Sequence, residues 1–265
     1  MSAYNNGRWI LNSCGYGLPY EWNFKLLPSG SVVGEPAGDV VDESGFKPKD
    51  RCYAPVLMPS LQANAIFFNY PGVGASSGPS SRTAAVKAYR AVLAFLEDQQ
   101  RGLAAKEIIC FGYSLGGGIQ AEALQRHTFK SDIGYVAVKS KAFSTLGSEV
   151  SAIMNPLMGA LIRLLGWNID TATSSKELPV PEVVLQQANV DHYMELSDPT
   201  QIKYDDVIPP AASLANALLR DTGRPKAPKK IIGITEGHCE KMGDPSFVSL
   251  AIQQARTMAC AAGEG

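Results

Sequence analysis

Short apolar runs of strand length punctuate the chain, and segments with helical periodicity lie between most of them. Arg8 to Asn12 (RWILN) reads as a strand running into the turn-rich Ser13-Cys14-Gly15-Tyr16-Gly17. Asn64 to Asn69 (NAIFFN), Glu107 to Gly112 (EIICFG), Tyr135 to Val138, Glu182 to Gln187 (EVVLQQ) and Lys230 to Thr235 (KIIGIT) are further strands. They are apolar nearly throughout rather than alternating, which marks parallel strands covered on both faces. After Thr83, a candidate cap, Val86, Tyr89, Leu93 and Leu96 recur at helical spacing, with Gly102 just past the end. Ile119 to Arg126, Pro210 to Leu219 and Pro245 to Met258 are further helices, and Ser148 to Leu165 is helical but broken near Pro156. Residues 28–60 hold nine prolines and glycines, which makes a loop with room for a short strand or hairpin. Strands of about five residues alternating with longer helices predict βαβ units and a mostly parallel sheet with helices on both faces.

Composition narrows the function classes. A chain of 265 residues suits one α/β domain or two small ones and can bury a sizeable core. Its formal net charge of -1 supplies no field for nucleic acid or an anionic surface, and no basic run is present. Five scattered cysteines (Cys14, Cys52, Cys110, Cys239, Cys260) form no C-x-x-C pair, so no zinc site is expected, and they point weakly to a reducing compartment. The most apolar long stretch, Ala152 to Trp167, is interrupted by Asn155, Pro156 and Arg163 and is too short to span a bilayer. The first residues show no charged and then apolar leader, so a cytoplasmic location, or delivery to a host cell without a signal peptide, is expected.

The chemistry concentrates at Gly112-Tyr113-Ser114-Leu115-Gly116, a G-x-S-x-G pattern with a strand before it and a helix after it. A serine on such a sharp turn presents its hydroxyl at the end of a sheet. Small neighbours fit a tight turn, and Gly117 and Gly118 allow the helix to approach the sheet. The Leu115 N–H then sits at a helix N-terminus, where a donor to an oxyanion belongs. The bland reading is a serine that merely caps a helix in a βα turn. A phosphate loop is disfavoured, because neither G-x-x-x-x-G-K-[ST] nor G-x-G-x-x-G occurs.

A serine hydroxyl needs a base. Three histidines are present. His127 lies at the far end of the helix that follows Ser114, His192 in the loop after strand 182–187, and His238 directly after the last strand. In the fold that carries this elbow the partners follow in the order Ser, acid, His, which selects His238. The acid remains open among Asp205, Asp191 and Asp206, with Asp205 favoured because Asp205-Asp206-Val207-Ile208-Pro209 runs into a helix. A second oxyanion donor is expected from the loop after the first strand, at Tyr16 or Cys14.

Phe68-Asn69-Tyr70-Pro71-Gly72-Val73-Gly74-Ala75-Ser76-Ser77-Gly78 resembles a glycine loop of α/β-hydrolases. Together with GYSLGGG, DDVIPPAASLA and KKIIGITEGH it makes the chain most similar to the chlamydial CHLPS-type hydrolase-like family, over roughly residues 8 to 260. The resemblance implies an α/β-hydrolase fold, a single domain over 1–265, a Ser114–Asp205–His238 triad and no cofactor. The chain departs from the family pattern in one respect: the first two strands of the usual fold are expected to be missing. Residues 143–170 would form a small cap whose apolar Ile153, Leu157, Leu161, Leu165 and Trp167 either meet an acyl group or pack on the core. The expected partner is a small acyl substrate, an ester or thioester. Three other readings stand beside it: a hydrolase of another bond, a hydrolase-like binding module in host interaction, and a nucleotide-binding α/β protein suggested by Gly72-Val73-Gly74.

Overall fold

The computed structural model describes residues 4–13, 22–26, 32–36, 54–73 and 76–263. Nine strands and eight α-helices follow one another along these residues. The strands are β1 (Arg8–Ser13), β2 (Trp22–Leu26), β3 (Val32–Pro36), β4 (Asn64–Phe67), β5 (Glu107–Tyr113), β6 (Gly134–Ser140), β7 (Glu182–Gln187), β8 (Met194–Glu195) and β9 (Lys229–Ile234). The helices are α1 (Ala54–Leu61), α2 (Arg82–Glu97), α3 (Leu115–Gln125), α4 (Leu146–Ile153), α5 (Pro156–Leu164), α6 (Thr171–Glu177), α7 (Leu214–Arg220) and α8 (Pro245–Gly263).

Seven strands form one sheet in the order β4-β1-β5-β6-β7-β9-β8, while β2 and β3 pair as a separate antiparallel hairpin. All neighbours in the large sheet run parallel except the short β8 against β9. No strand precedes β1 among the described residues. This is the mostly parallel, doubly covered α/β sheet that the apolar runs predict.

Why the strands read as continuous apolar runs is visible in β5. Ile109, Phe111 and Tyr113 pack on one face with residues of α1 and α8, such as Leu57, Leu61, Val248 and Ile252. Ile108 and Cys110 pack on the other with Val86, Tyr89 and Leu93 of α2 and Ile119 and Ala123 of α3. The period of two is intact, but both faces are dry, so both sets must be apolar. The sheet order also sets the site. From β1 the chain goes outward to β4, then returns to β5 and builds in the opposite direction. The carboxyl ends of β1 and β5 therefore flank the switch point at which open α/β sheets bind ligands.

Several elements differ from the sequence expectation. Ser81, not Thr83, caps α2, accepting the Ala84 N–H at 3.2 Å. The segment read as a helix from Pro210 is a 3-10 turn at Pro210–Ala212, followed by α7 under a Ser213 cap. Two prolines hide α1 inside the segment read as loop, one in its first turn and Pro59 within it. The expected break near Pro156 is present: Asn155 caps α5 and Pro156 opens it.

A buried lysine interrupts the apolar pattern of the sheet. Lys139 of β6 donates to Glu182 of β7, which also accepts from Ser175 Oγ at 3.1 Å and lies 3.2 Å from the Lys229 ammonium. Burial pushes the Glu182 carboxyl up, but the two ammonium groups pull it further down, so it stays below its ordinary value. Removing one member of a buried ion cluster typically costs about 3–5 kcal/mol, because the remaining charges stay desolvated. The Glu182→Gln variant is expected to lose stability on that scale, read as a lower urea midpoint with an unchanged denaturant slope.

Candidate active site

The sharp turn between β5 and α3 exists because two backbones meet there. A Cβ on Gly112 would lie 2.7 Å from the Gly117 Cα, a contact only backbone movement could relieve. One on Gly118 would meet the Phe143 ring at 2.7 Å. With the helix this close, Ser114 has to reverse the chain within one residue, and it takes φ 52 and ψ −123. A non-glycine residue in such a region costs about 1–3 kcal/mol and persists only where its surroundings over-determine it. Here the Ser114 N–H donates to the Ser140 carbonyl of β6 at 2.9 Å, and its own carbonyl accepts from Gly117 N–H at 2.9 Å. Ser114 is half-buried and its hydroxyl makes no capping bond to α3, so it is free to face another group.

That group is His238, whose Nε2 lies 3.1 Å from Ser114 Oγ. The other ring nitrogen, Nδ1, lies 3.0 Å from Asp205 Oδ2. Asp205 is fully buried. Its Oδ1 accepts from the N–H groups of Ile208 at 2.6 Å and Val207 at 3.2 Å, and Oδ2 also accepts from Gln186 Nε2 at 3.1 Å. Burial pushes its carboxyl up, yet the hydrogen bond and charge of His238 and the two backbone donors outweigh burial and hold it below its ordinary value. The His238 peptide is gripped as well. Its N–H donates to the Asp205 carbonyl at 2.6 Å, and its carbonyl accepts from the Tyr113 hydroxyl.

The other candidates are elsewhere. Asp191 and His192 are exposed on the loop after β7. Asp206 is exposed and uses its backbone carbonyl to accept from Tyr204 OH at 3.0 Å. His127 contacts Glu97 Oε1 at 2.7 Å, beside Tyr135, at the other end of α3. Leu115 opens α3 directly after Ser114. Cys14 and Tyr16 lie outside the described residues. No group of three metal-ligating side chains occurs among the described residues.

Charged groups that the motifs did not announce surround this arrangement. Lys141, fully buried just past β6, is pushed down to about 8 by burial, which Asp205, Glu236, Glu240 and Cys239 only partly offset. Glu149 of α4 is buried, and burial, helped by the charge of Asp205, pushes its carboxyl up to about 8. The signal for Lys141 was present in Tyr135-Val136-Ala137-Val138-Lys139-Ser140-Lys141-Ala142-Phe143, where cations stand inside an apolar run. Residues 146–169 leave and rejoin the chain at one place, closed by the Thr145–Asp170 bridge and a Leu146 N–H to Ile169 carbonyl bond of 3.0 Å. On α4 and α5 and just past their ends, Ile153, Met154, Leu157, Leu161, Leu164 and Leu165 are exposed, so these side chains do not pack on the core.

The family described as Chlamydia CHLPS protein (DUF818) matches residues 38–254. The chain belongs to this family. No curated protein matches it. Among solved structures, the CHLPS chain is similar to the esterase Pf2001 of Pyrococcus furiosus, at 12% identity and a TM-score of 0.54, covering 95% of this chain and 80% of that one. It is similar to Est1E of Butyrivibrio proteoclasticus, solved with ferulic acid, at 13% identity and a TM-score of 0.55, covering 97% and 92%. It is also similar to proline iminopeptidase of Mycobacterium smegmatis, at 10% identity and a TM-score of 0.52, covering 98% and 93%. These likenesses establish the α/β-hydrolase fold for the CHLPS chain.

The depressed Asp205 carboxyl links the site to stability. Its folded value lies below its unfolded one, so its contribution is present in full above the unfolded value of about 3.9 and is lost as pH falls through the folded value. The Asp205→Asn variant is expected to show a flatter acid limb of thermal midpoint against pH than the native protein.

Proposed function

We propose that this CHLPS protein is a serine hydrolase that cleaves a carboxylic ester or thioester through an acyl-enzyme. The observation that carries the reading is the continuous chain from Ser114 Oγ through the His238 ring to buried Asp205, at 3.1 and 3.0 Å. A capping serine would have no use for an imidazole in line with a buried carboxylate.

In this mechanism Ser114 Oγ attacks the acyl carbon while His238 Nε2 takes its proton. Asp205 holds the ring in the tautomer with hydrogen on Nδ1 and stabilises the imidazolium. The Leu115 N–H, in the first turn of α3, donates to the developing oxyanion. His238 then returns the proton to the leaving alcohol or thiol. Water, deprotonated by the same imidazole, attacks the acyl-enzyme and releases the acid and free Ser114. The excursion 146–169 acts as a cap, and the apolar side chains of α4 and α5 favour an acyl group over a charged one. The chain functions as one hydrolase domain and needs no metal or cofactor for these steps.

The direct test is fluorophosphonate labelling together with turnover of p-nitrophenyl esters of increasing chain length. The native protein is expected to label and to turn over, and Ser114→Ala to do neither. Asp205→Ala is expected to lower kcat by about 10⁴ and Asp206→Ala by less than about tenfold. A folded native protein that neither labels nor hydrolyses any ester favours a hydrolase-like binding module instead.

A further inference from the structure

Lys141 lies outside the hydrogen-bonded chain, yet it is tied to the loop that carries His238. It follows β6 directly, and its backbone N–H donates to the Leu185 carbonyl of β7 at 2.8 Å. Its side chain crosses to the loop after β9. There Nζ donates to the Gly237 carbonyl and lies 3.5 Å from the carbonyls of both His238 and Glu240. One ammonium thus meets three acceptors of a single short loop, and the middle one belongs to His238.

Two costs are accepted to place it there. Lys141 has φ 49, in the left-handed region that a side chain rarely adopts. It is also a fully buried cation, which is expensive unless its donors are satisfied. The next residues, Ala142 and Phe143, are ordinary buried apolar side chains. An apolar residue at 141 would avoid both the cation and its desolvation, so the carbonyl contacts account for the lysine.

We propose that Lys141 is a positioning residue that pins the 237–240 loop and so holds the His238 imidazole in line between Ser114 and Asp205. The loop lies beyond the end of β9, where no ladder bonds hold it. Tyr113 and Asp205 grip the His238 peptide from the β5 and β7 sides, and Lys141 adds the grip from β6. Asp205, Glu236, Glu240 and Cys239 face the ammonium and favour its charge, while burial opposes it more strongly. Above about pH 8 the ammonium loses a proton and with it one donor. The grip is therefore strong below that pH and weakens above it.

The consequence for catalysis rests on the serine-hydrolase reading, so the test carries one readout that does not. Native protein, Lys141→Met and Lys141→Arg are compared by p-nitrophenyl butyrate turnover across pH 6–10, by thermal melting, and by NMR of the histidine side chains. With three histidines in the chain, a His238→Gln spectrum assigns the resonance in question. Lys141→Met removes the donors at similar length. It is expected to lower kcat by about 10²-fold with KM changed less than about threefold, since small misplacements of a catalytic group have costs of that size. Its His238 resonance should broaden or shift while those of His127 and His192 stay. Lys141→Arg keeps charge and donors, and is expected to recover most of the rate and to lack the native fall in kcat above about pH 8. If Lys141→Met does not fold, the same pH comparison between native protein and Lys141→Arg decides, because a purely structural lysine predicts coincident profiles. A folded Lys141→Met with native kcat and a native His238 resonance overturns the proposal. A changed resonance in a protein with no esterase activity in any form upholds the positioning role and rejects the serine-hydrolase reading instead.

Discussion

The close approach of β5 and α3 at Gly112 and Gly117 is the constraint on which the site depends. With 2.7 Å between a would-be Cβ and the opposing Cα, no side chain fits, and the turn between strand and helix must be completed at Ser114. The strained dihedrals there follow from this steric limit. They are held by bonds to β6 and to the first turn of α3, so the strain is sustained by the sheet itself. The hydroxyl is thereby lifted off the helix end that would otherwise claim it as a cap.

The partners reach that hydroxyl at the carboxyl ends of neighbouring strands. His238 lies in the segment after β9, and Asp205 lies beyond the short β8, in a stretch that the Ala188–Ile202 bridge and a Lys203 N–H to Gln187 carbonyl bond of 3.0 Å return to the end of β7. They meet because β7 and β9 are paired in register, so their ends stand side by side. Asp205 does more than face the ring. It accepts from two backbone N–H groups, from Gln186 and from the histidine, and its carbonyl takes the His238 N–H. This density of donors is what allows a buried carboxyl to remain ionised against the cost of desolvation. Lys141 extends the same logic to the opposite charge, with carbonyls in place of amides. Glu149 differs: burial raises its carboxyl and the charge of Asp205 adds to the shift, so proton uptake relieves it.

The excursion between β6 and α6 shows the limit of reading apolarity as burial. Ile153, Leu157, Leu161 and Leu165 recur at spacings that suit a core-facing helix, yet they are exposed, Leu157 at 77%. The helices pack on each other around Gly159 instead, where an added Cβ would lie 1.7 Å from the Ser151 hydroxyl. A pair of short helices joined at Asn155-Pro156 satisfies its own contact with small residues and leaves the large ones outward.

Local chemistry alone determined much of this protein. The strands are apolar runs because both sheet faces are dry, and Glu182–Gln187 is legible to the residue for that reason. The elbow is legible because its glycines report a clash that any such turn has. His238 follows by elimination among three histidines once a chain order is assumed. The family likeness was also carried by these short motifs. What stayed closed was whatever depends on residues far apart in sequence. Asp191, Asp205 and Asp206 look alike as loop residues, and only the return of the chain to the end of β7, itself paired with β9, brings Asp205 alone to the ring. The grip of Lys141 on the His238 loop spans about a hundred residues, and nothing in the neighbourhood of either end announces the other. Sequence periodicity records the environment of each residue on its own element. Which loops converge is decided by strand order and register, and those exist only once the sheet has formed.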